Sequence, residues 1–265
     1  MDLLGDLKRL GVREGDLLMV HGSLRRLGLA RSQGVEEGAH RLLDALDEAV
    51  GEKGTLLMVL GTQYPMDRVN QEPVEARAAL LEGTEPFDYL NAPAYDEVGF
   101  LAEAFRRRPG TQVSHNPSGR FGARGLRADE LLKGQSWNDY YGPGSPLEKL
   151  VAWGGRILRL GANPDTVTAL HYAEYLAKLP NKRRTRWDYL LATPEGPRHA
   201  WVECLNDNEG IFDWDGDDYF AEITRTYLRQ RPHASGKVGQ ADSQLIDAAD
   251  MVRFGARWME ENLRG

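Results

Sequence analysis

The sequence contains a single cysteine, Cys204, and no long apolar run. One thiol forms no internal disulfide and supplies no multi-thiolate metal site. No stretch of about 18 apolar residues is present, so no transmembrane helix and no membrane partner are expected. Residues 1–6 carry acidic side chains where a signal peptide carries basic ones, which predicts a cytoplasmic protein.

Several common catalytic signatures are also missing. The sequence has no P-loop, no Gly-x-Ser-x-Gly elbow of α/β-hydrolases and no His-Glu-x-x-His zinc motif. The six histidines show no pair at metal-ligand spacing, so no metal is expected. Residues 213–217 begin like a calcium loop, but Asp218 and Thr224 stand where the EF-hand pattern requires Gly and Glu.

The composition suits one large domain, predicted to span residues 1–265. The chain has 29 glycines, 13 prolines and 41% hydrophobic residues, without a repeat or a low-complexity tract. A chain of this size buries enough surface to fold without disulfides or metals. Acidic residues number 40 against 33 basic ones, which gives a net charge of −7. This balance favours cationic partners and disfavours nucleic acid.

Continuous apolar runs alternate with amphipathic segments, which indicates a sheet covered on both faces by helices. Strands are predicted at 17–20, 55–60 and 156–160. Helices are predicted at 3–10, 36–50, 99–108, 166–179, 217–229 and 245–263. The fold class is therefore α/β, with a central mixed, largely parallel sheet. A smaller β-rich subdomain is predicted over about 181–235, where Trp187, Tyr189 and Trp201 favour strands.

Two short segments are candidate ligand-binding turns. Residues 21–24 follow the predicted strand at 17–20, and free backbone N–H groups at the carboxyl end of a parallel strand bind phosphate in α/β proteins. Residues 114–117 place a serine beside a histidine after a Pro-Gly helix stop. Each segment has an ordinary alternative, as a strand–loop junction or as a turn capped by its own side chains.

The strongest cluster of chemically useful side chains lies on the helix predicted at 166–179. Thr168, His171 and Glu174 recur every three residues and so share one helical face. A hydroxyl, an imidazole and a carboxylate on one face provide a donor, a base and an orienting or cation-binding group. The alternative is a core histidine whose hydrogen bonds are satisfied within the protein.

Acidic residues concentrate between 203 and 222, where no Lys or Arg interrupts them. The acids are Glu203, Asp207, Glu209, Asp213, Asp215, Asp217, Asp218 and Glu222. The interleaved aromatic residues are Phe212, Trp214, Tyr219 and Phe220. Carboxylates with aromatic faces suit a polycationic small ligand. A solvated acidic loop is the alternative.

Several of these segments, in this order, resemble the aminoglycoside 3-N-acetyltransferase family. Residues 15–24 resemble its Gly-Asp…Val-His-Ser-Ser-Leu opening, with Gly22 in place of a serine. Residues 114–117 resemble its Ser-His-Pro element, from which Asn116 departs. Residues 142–155 are similar to its Gly-x-x-Ser-Pro…Gly-Gly run, and residues 168–174 to its most diagnostic stretch.

The resemblance implies acetyl-CoA as co-substrate, and a cationic aminoglycoside acetylated on the 3-amino group of its 2-deoxystreptamine ring, which confers antibiotic resistance. It implies His171 as general base, Thr168 as donor to the thioester oxygen, and Glu174 as orienting group or ammonium ligand. The implied CoA-site residues are His21, Gly22, Ser23, Leu24, Ser114 and His115. The implied substrate-binding residues are Asp213, Asp215, Asp218 and Glu174. A monomer or homodimer is expected.

Three other functions fit the same residues. The first is acyl transfer to a different amine, such as a nucleoside or peptide antibiotic. The second is non-catalytic binding of cationic sugars by the acidic segment, without a role for His171. The third is a Ser/His hydrolase with Ser23 or Ser114 as the nucleophile. Cys204 is not required as a nucleophile if the amine attacks the thioester directly.

Overall fold

The computed structural model describes residues 1–30, 34–61, 67–216 and 218–263. Its helices are α1 (Leu3–Leu10), α2 (Val35–Val50), α3 (Asp67–Asn70), α4 (Val74–Leu81), α5 (Phe100–Arg107), α6 (Ala128–Leu132), α7 (Pro146–Ala152), α8 (Ala169–Leu176), α9 (Tyr219–Gln230) and α10 (Ala248–Asn262). Its strands are β1 (Leu17–Gly22), β2 (Thr55–Val59), β3 (Gln112–Val113), β4 (Phe121–Gly125), β5 (Arg156–Leu160), β6 (Arg184–Leu191), β7 (Arg198–Leu205), β8 (Ala234–Val238) and β9 (Ala241–Asp247). Two short 3₁₀ turns are Asp96–Val98 and Pro164–Thr166.

In the described residues, seven strands form one sheet in the order β3-β4-β2-β1-β5-β9-β8. Strand β1 pairs in parallel with β2 and β5, and Leu18 lies opposite both Leu56 and Arg156. The other pairs are antiparallel. The mixed α/β sheet is confirmed, but its parallel part is limited to the three central strands. Outer strands such as β8, with four of its five residues exposed, carry no apolar run that would predict them.

The central strands are buried because both of their faces are covered. Leu17 and Met19 of β1 belong to one apolar cluster, which includes side chains of α8 and α10. Leu18 and Val20 belong to a second cluster, beneath α1 and α2. This alternation follows from the two-residue period of a strand. Truncation of the fully buried Met19 to alanine is expected to cost about 2–5 kcal/mol of stability.

Strands β6 and β7 form a separate two-stranded sheet within the segment predicted to be β-rich. Trp187 lies opposite Val202 in this hairpin. Its inward side chains Tyr189, Leu191 and Val202 join the same apolar cluster as Met19. The rest of 181–235 holds α9 and loops, and β8 begins at Ala234 in the central sheet. The predicted domain boundaries stay a prediction.

Two helices, α8 and α10, begin three residues later than predicted. Residues 245–247 belong to β9, and α10 starts at Ala248 because the Asp247 carboxylate accepts the Asp250 N–H at 2.7 Å. Helix α8 starts at Ala169, after the 3₁₀ turn and the non-helical Val167. No helix in the described parts of the chain combines the length and apolarity needed to cross a bilayer.

Candidate active site

A large cavity opens at the carboxyl ends of the parallel strands, where ligands enter sheets of this kind. Its volume is about 1340 Å³, above the roughly 300–1,000 Å³ of common small-molecule pockets, which leaves room for two ligands. Its wall includes the end of β1, the start of α5, the loop after β5, the start of α8 and the loop after β7. The site residues named from the sequence that line it are His21, Gly22, Ser23, Leu24, Thr168, His171 and Asp218.

His171 and Glu174 form a hydrogen-bonded pair on α8. His171 Nδ1 lies 2.9 Å from Glu174 Oε2. Because a carboxylate only accepts, Nδ1 carries the proton and Nε2 is left to take one up. Tyr141 stacks on the imidazole with ring centroids 4.7 Å apart, and Phe220 meets it edge-on at 4.8 Å. These contacts hold the plane of the ring.

The surroundings of His171 raise its pKa. Burial lowers this pKa, but the hydrogen bond to Glu174 and the charges of Glu174, Asp207 and Asp218 together raise it above the ordinary 6.5. A raised pKa makes the imidazole a stronger proton acceptor, provided that the pH keeps it neutral before reaction.

Both carboxylate oxygens of Glu174 are engaged. Oε2 accepts from His171, and Oε1 accepts from the hydroxyl of Tyr219. The residue is 1% exposed and does not line the cavity. Glu174 therefore lies behind His171, where it orients the ring. The alternative role as a ligand for a substrate ammonium is not supported, because the carboxylate does not reach the cavity.

Thr168 lines the cavity at the start of α8. Its carbonyl accepts the His171 N–H at 3.0 Å, and its side chain makes no capping hydrogen bond. The hydroxyl is thus left for a ligand. The structure brings Thr168 and His171 to one cavity, as the three-residue spacing predicted.

His21 lies at the end of β1 and differs from His171 in the direction of its pKa shift. It is 7% exposed, and its Nε2 has no hydrogen-bond partner among the described residues. Burial lowers its pKa to about 3, with a further contribution from the positive charge of Arg159. The imidazole of His21 is therefore neutral near pH 7.

Gly22 permits a close approach between β1 and α5. A Cβ at this position would lie 3.0 Å from Leu101 Cδ2, so any larger residue would displace Leu101. Gly99 is the N-cap residue of α5 and has no side chain to cap the first N–H groups of this helix. Residues 99–102 line the cavity.

Ser114 and His115 lie outside the cavity. Ser114 is fully buried, and its hydroxyl accepts the Phe121 N–H at 3.0 Å and donates to the Gly119 carbonyl at 3.4 Å. His115 is exposed to solvent. Residues 114–117 therefore form a turn capped by its own side chain, which is the ordinary alternative to a ligand-binding turn. A direct CoA contact by these two residues is not supported, and the buried hydroxyl disfavours Ser114 as a nucleophile.

The acidic segment reaches the cavity only in part. Asp213 and Asp215 are exposed and do not line it, and Asp213 is paired with Arg183. Their predicted contact with substrate is therefore not supported. Asp218 lines the cavity and also accepts the Ala221 N–H at 2.9 Å. Asp217 falls outside the described residues.

Asp207 and Glu209 line the cavity instead, together with Asn206 and Asn208. In the sequence they stand out only as members of the acidic segment. The signal that points to them is an Asn-Asp-Asn turn directly after β7. A ligand near the end of β7 therefore meets two carboxylates.

Sequence reasoning also missed Tyr140, whose hydroxyl donates to Asp207. Tyr140 lines the cavity, and its hydroxyl lies 3.4 Å from the Cys204 sulfur. Burial raises the pKa of the Cys204 thiol, which is 1% exposed. Cys204 is therefore an inert core thiol rather than a nucleophile.

The lining residues include two groups of opposite charge. We call Arg25, Arg26 and the start of α5 the basic wall. We call Asp207, Glu209 and Asp218 the acidic wall. This arrangement accommodates one ligand with phosphate groups and another with ammonium groups beside a histidine base. Within the described ranges, no group of three His, Cys, Asp or Glu side chains is placed to hold a metal ion.

Comparisons with known proteins agree with this geometry. The family model described as aminoglycoside 3-N-acetyltransferase matches residues 19–260. Aminoglycoside N(3)-acetyltransferase III of Pseudomonas aeruginosa is 38% identical over 97% of this chain and 92% of its own length. The solved structure of AAC-IIIb in binary complex with CoASH has a TM-score of 0.88 and 34% identity, covering 98% of this chain and 96% of that one. Sisomicin-bound AAC-VIa has a TM-score of 0.89 and 36% identity, covering 99% and 98%.

Proposed function

The chain belongs to the aminoglycoside 3-N-acetyltransferase family, and we propose that it transfers the acetyl group of acetyl-CoA to the 3-amino group of an aminoglycoside's 2-deoxystreptamine ring. The observation that carries this proposal is the His171–Glu174 pair in a cavity with one basic and one acidic wall. Such a transfer needs a base for the amine, a cationic surface for the donor's phosphates and an anionic surface for the acceptor.

The basic wall fits the acyl donor. Helix N-termini and guanidinium groups bind phosphate well, and both occur here at Arg25 and the start of α5. The segment of residues 21–24 faces the same part of the cavity, since Gly22 contacts Leu101 of α5. When bound, acetyl-CoA supplies the activated acyl group at this wall. The complex of the relative AAC-IIIb with CoASH supports this assignment.

His171 acts as the general base in this proposal. Its Nε2 accepts the proton of the attacking amine, while Nδ1–H stays hydrogen-bonded to Glu174. Glu174 stabilises the imidazolium that forms, in the way that a buried carboxylate supports a catalytic histidine. The Thr168 hydroxyl donates a hydrogen bond to the thioester oxygen as that oxygen gains negative charge. The amine nitrogen replaces the thiol at the acyl carbon as the carbon–sulfur bond breaks, and the proton held on His171 passes to the leaving thiolate. This direct attack needs no acyl-enzyme, in agreement with the buried Cys204.

The acidic wall binds the ammonium groups of the acceptor. Asp207, Glu209 and Asp218 supply the carboxylates, and Trp187 and Tyr189 line the cavity with aromatic faces. Ion pairs and cation–π contacts of this kind suit a polycationic amino sugar. The sisomicin complex of the relative AAC-VIa supports an aminoglycoside in this role.

The test is thiol release from acetyl-CoA with a panel of 2-deoxystreptamine aminoglycosides, with His171→Ala beside the wild type. We expect turnover in the wild type, its loss in His171→Ala, and acetylation at the 3-amino group by NMR of the product. Antibiotic binding that persists in the inactive variant would argue against a binding-only protein. Turnover with nucleoside or peptide amines, and none with aminoglycosides, would assign a different acceptor.

A further inference from the structure

Arg159 is a buried cation on β5, behind the loop residues Ala162 and Asn163 that line the cavity. It lies on β5 in register with His21 on one side and Gln244 on the other, and it is 3% exposed. Its guanidinium donates to Gln244 Oε1 at 2.7 Å and to the carbonyls of Ala162 and Asn163 at 3.0 and 3.1 Å. These partners are neutral, although a buried charge is usually held by an opposite one. Burial lowers the pKa of Arg159 to about 10, so the group is still charged near pH 7.

A chain of hydrogen bonds leads from Arg159 to Thr168. The Asn163 carbonyl that accepts from Arg159 also accepts the Thr166 hydroxyl at 2.8 Å. The Thr166 carbonyl accepts the Thr168 N–H at 3.0 Å, and the Thr168 carbonyl accepts the His171 N–H at 3.0 Å. These hydrogen bonds link the first turn of α8 to the Arg159 guanidinium.

A second arginine holds the same loop from the solvent side. Arg26 donates to the Gly161 carbonyl at 3.0 Å and to the side chain of Asn163. Arg26 is exposed, and exposed charged contacts contribute little because water competes for them. The buried Arg159 makes its bonds without that competition, so it is the stronger of the two anchors.

We infer that Arg159 is a positioning residue for the acetyl transfer: by holding the carbonyls of Ala162 and Asn163, it places the Thr168 hydroxyl against the reacting carbonyl. The inference rests on the proposed function of Thr168. Arg159→Met removes all three hydrogen bonds and is expected to lower kcat by about 10- to 100-fold, because small displacements of a reacting group have effects of this size. KM for the aminoglycoside is expected to change less than about two-fold, since the acidic wall is untouched.

A double-mutant cycle distinguishes positioning from general damage to the fold. If Arg159 acts through Thr168, then Arg159→Met lowers kcat by less than about two-fold once Thr168→Ala is present. A purely structural role would give the same loss in both backgrounds, and additive effects on the logarithm of kcat would overturn the inference.

Arg156 provides a matched control on the same strand. It is paired with Asp16 and donates to the Gly11 carbonyl at 3.0 Å, at the opposite end of β5 from the cavity. Arg156→Met removes a half-buried arginine of β5 without touching the loop, so kcat is expected to stay within about two-fold of wild type. An equal fall in kcat in both variants would contradict the inference.

A second variant covers the case in which Arg159→Met does not fold, as judged by circular dichroism. Arg159→Lys keeps the charge but loses the forked donor geometry, so we expect a smaller fall in kcat with the same non-additivity. Failure of the proposed function is a separate result. A wild type without turnover would reject the transfer reaction, and full activity in Thr168→Ala would reject the role of Thr168 together with this inference. Additivity in an active enzyme that depends on Thr168 would reject Arg159 alone.

Discussion

His21 and His171 line the same cavity, yet their neighbours move their pKa values in opposite directions. Burial lowers the pKa of both histidines. At His21 the nearby charge is the cation Arg159, which lowers the pKa further, to about 3. At His171 the hydrogen bond to Glu174 and the charges of Glu174, Asp207 and Asp218 together outweigh burial. Nearby carboxylates, Glu174 foremost, therefore decide which of the two imidazoles in this cavity is the stronger base.

The two regions also differ in how the histidine is held. His171 is fixed by Glu174, Tyr141 and Phe220, which settles its tautomer and its ring plane. His21 lies within a central strand, and its Nε2 has no partner in the described part of the chain. The arrangement at His171 is suited to proton transfer. The arrangement at His21 is suited to an uncharged part of the cavity lining.

Replacing each histidine in turn gives the largest expected difference in kcat between two variants. His171→Ala is expected to lower kcat by about 10²- to 10⁴-fold, the usual contribution of a general base. His21→Gln keeps a neutral polar group and is expected to lower kcat less than about 10-fold. Steady-state kinetics with saturating acetyl-CoA measures both. The assignment of the base fails if the His21 variant loses more activity than the His171 variant.

Replacing Glu174, whose carboxylate raises the pKa of His171 but not that of His21, tests the role of this residue directly. Glu174→Gln is expected to lower kcat/KM by about 10- to 100-fold, because the charge that supports the imidazolium is lost. The neutral imidazole is the active form, so activity rises as pH rises through the pKa of His171. Loss of Glu174 lowers that pKa, and the acidic limb of the pH–rate profile should move to lower pH.

Glu148→Gln is the matched control for that experiment. Like Glu174, Glu148 lies outside the cavity lining and accepts a tyrosine hydroxyl, from Tyr172 at 3.0 Å, but its other carboxylate oxygen accepts the Gly144 N–H rather than a hydrogen bond from His171. Its replacement should leave the acidic limb in place. An acidic limb that is the same in wild type and Glu174→Gln would show that another group controls the profile.

The depressed pKa of His21 makes a prediction about stability. The unfolded chain binds a proton near pH 6.5, whereas folded His21 does so only near 3, so between these values stability falls as pH falls. From pH 6.5 to 5 this linkage costs about 2 kcal/mol. Urea unfolding at both pH values should show that the free energy of unfolding of the wild type falls between pH 6.5 and pH 5. In His21→Gln this fall should be smaller by about this amount. Equal losses in the two proteins would indicate that folded His21 titrates normally.

The smallest expected effect is a change in KM, which distinguishes acids that line the cavity from acids that lie outside it. Asp207→Asn is expected to raise KM for an aminoglycoside by about 3- to 10-fold, and less at high salt, where screening weakens the ion pair. Asp213→Asn, which removes an exposed carboxylate outside the cavity, should change KM less than about two-fold. A larger effect at Asp213 would contradict the position of the acidic wall.

Much of the scaffold follows from local patterns. The apolar runs of β1, β2 and β5 and the amphipathic pattern of α2 predict these elements because their periodicity reflects burial. Strand β8 was not predicted, since the sequence ASGKV has no apolar run and its pairing with β9 supplies the only signal. The start of α10 was placed too early because the apolar Leu245 and Ile246 suit a strand as well as a helix.

The site residues also divide into those that local sequence predicts and those that only the fold places. The His171–Glu174 pair was predictable because three residues on a helix place two side chains together, whatever the rest of the chain does. For Ser114 the local sequence leaves both a ligand contact and a self-capped turn open, and only the fold shows that its hydroxyl accepts the Phe121 N–H. Asp207 was passed over in favour of Asp213 because both are acids of one segment, and the local sequence does not tell which one faces the cavity.

The sequence by itself determined the central strands, the resemblance that identifies the family and the pairing of His171 with Glu174, because each depends on neighbours within a few residues. The tertiary structure decided which acids line the cavity, which histidine has its pKa lowered and which arginines hold the loop before Thr168. These depend on contacts across the chain, such as Tyr219 with Glu174 and Arg159 with His21. Charge and desolvation act through space, so they are settled only when distant segments have packed together.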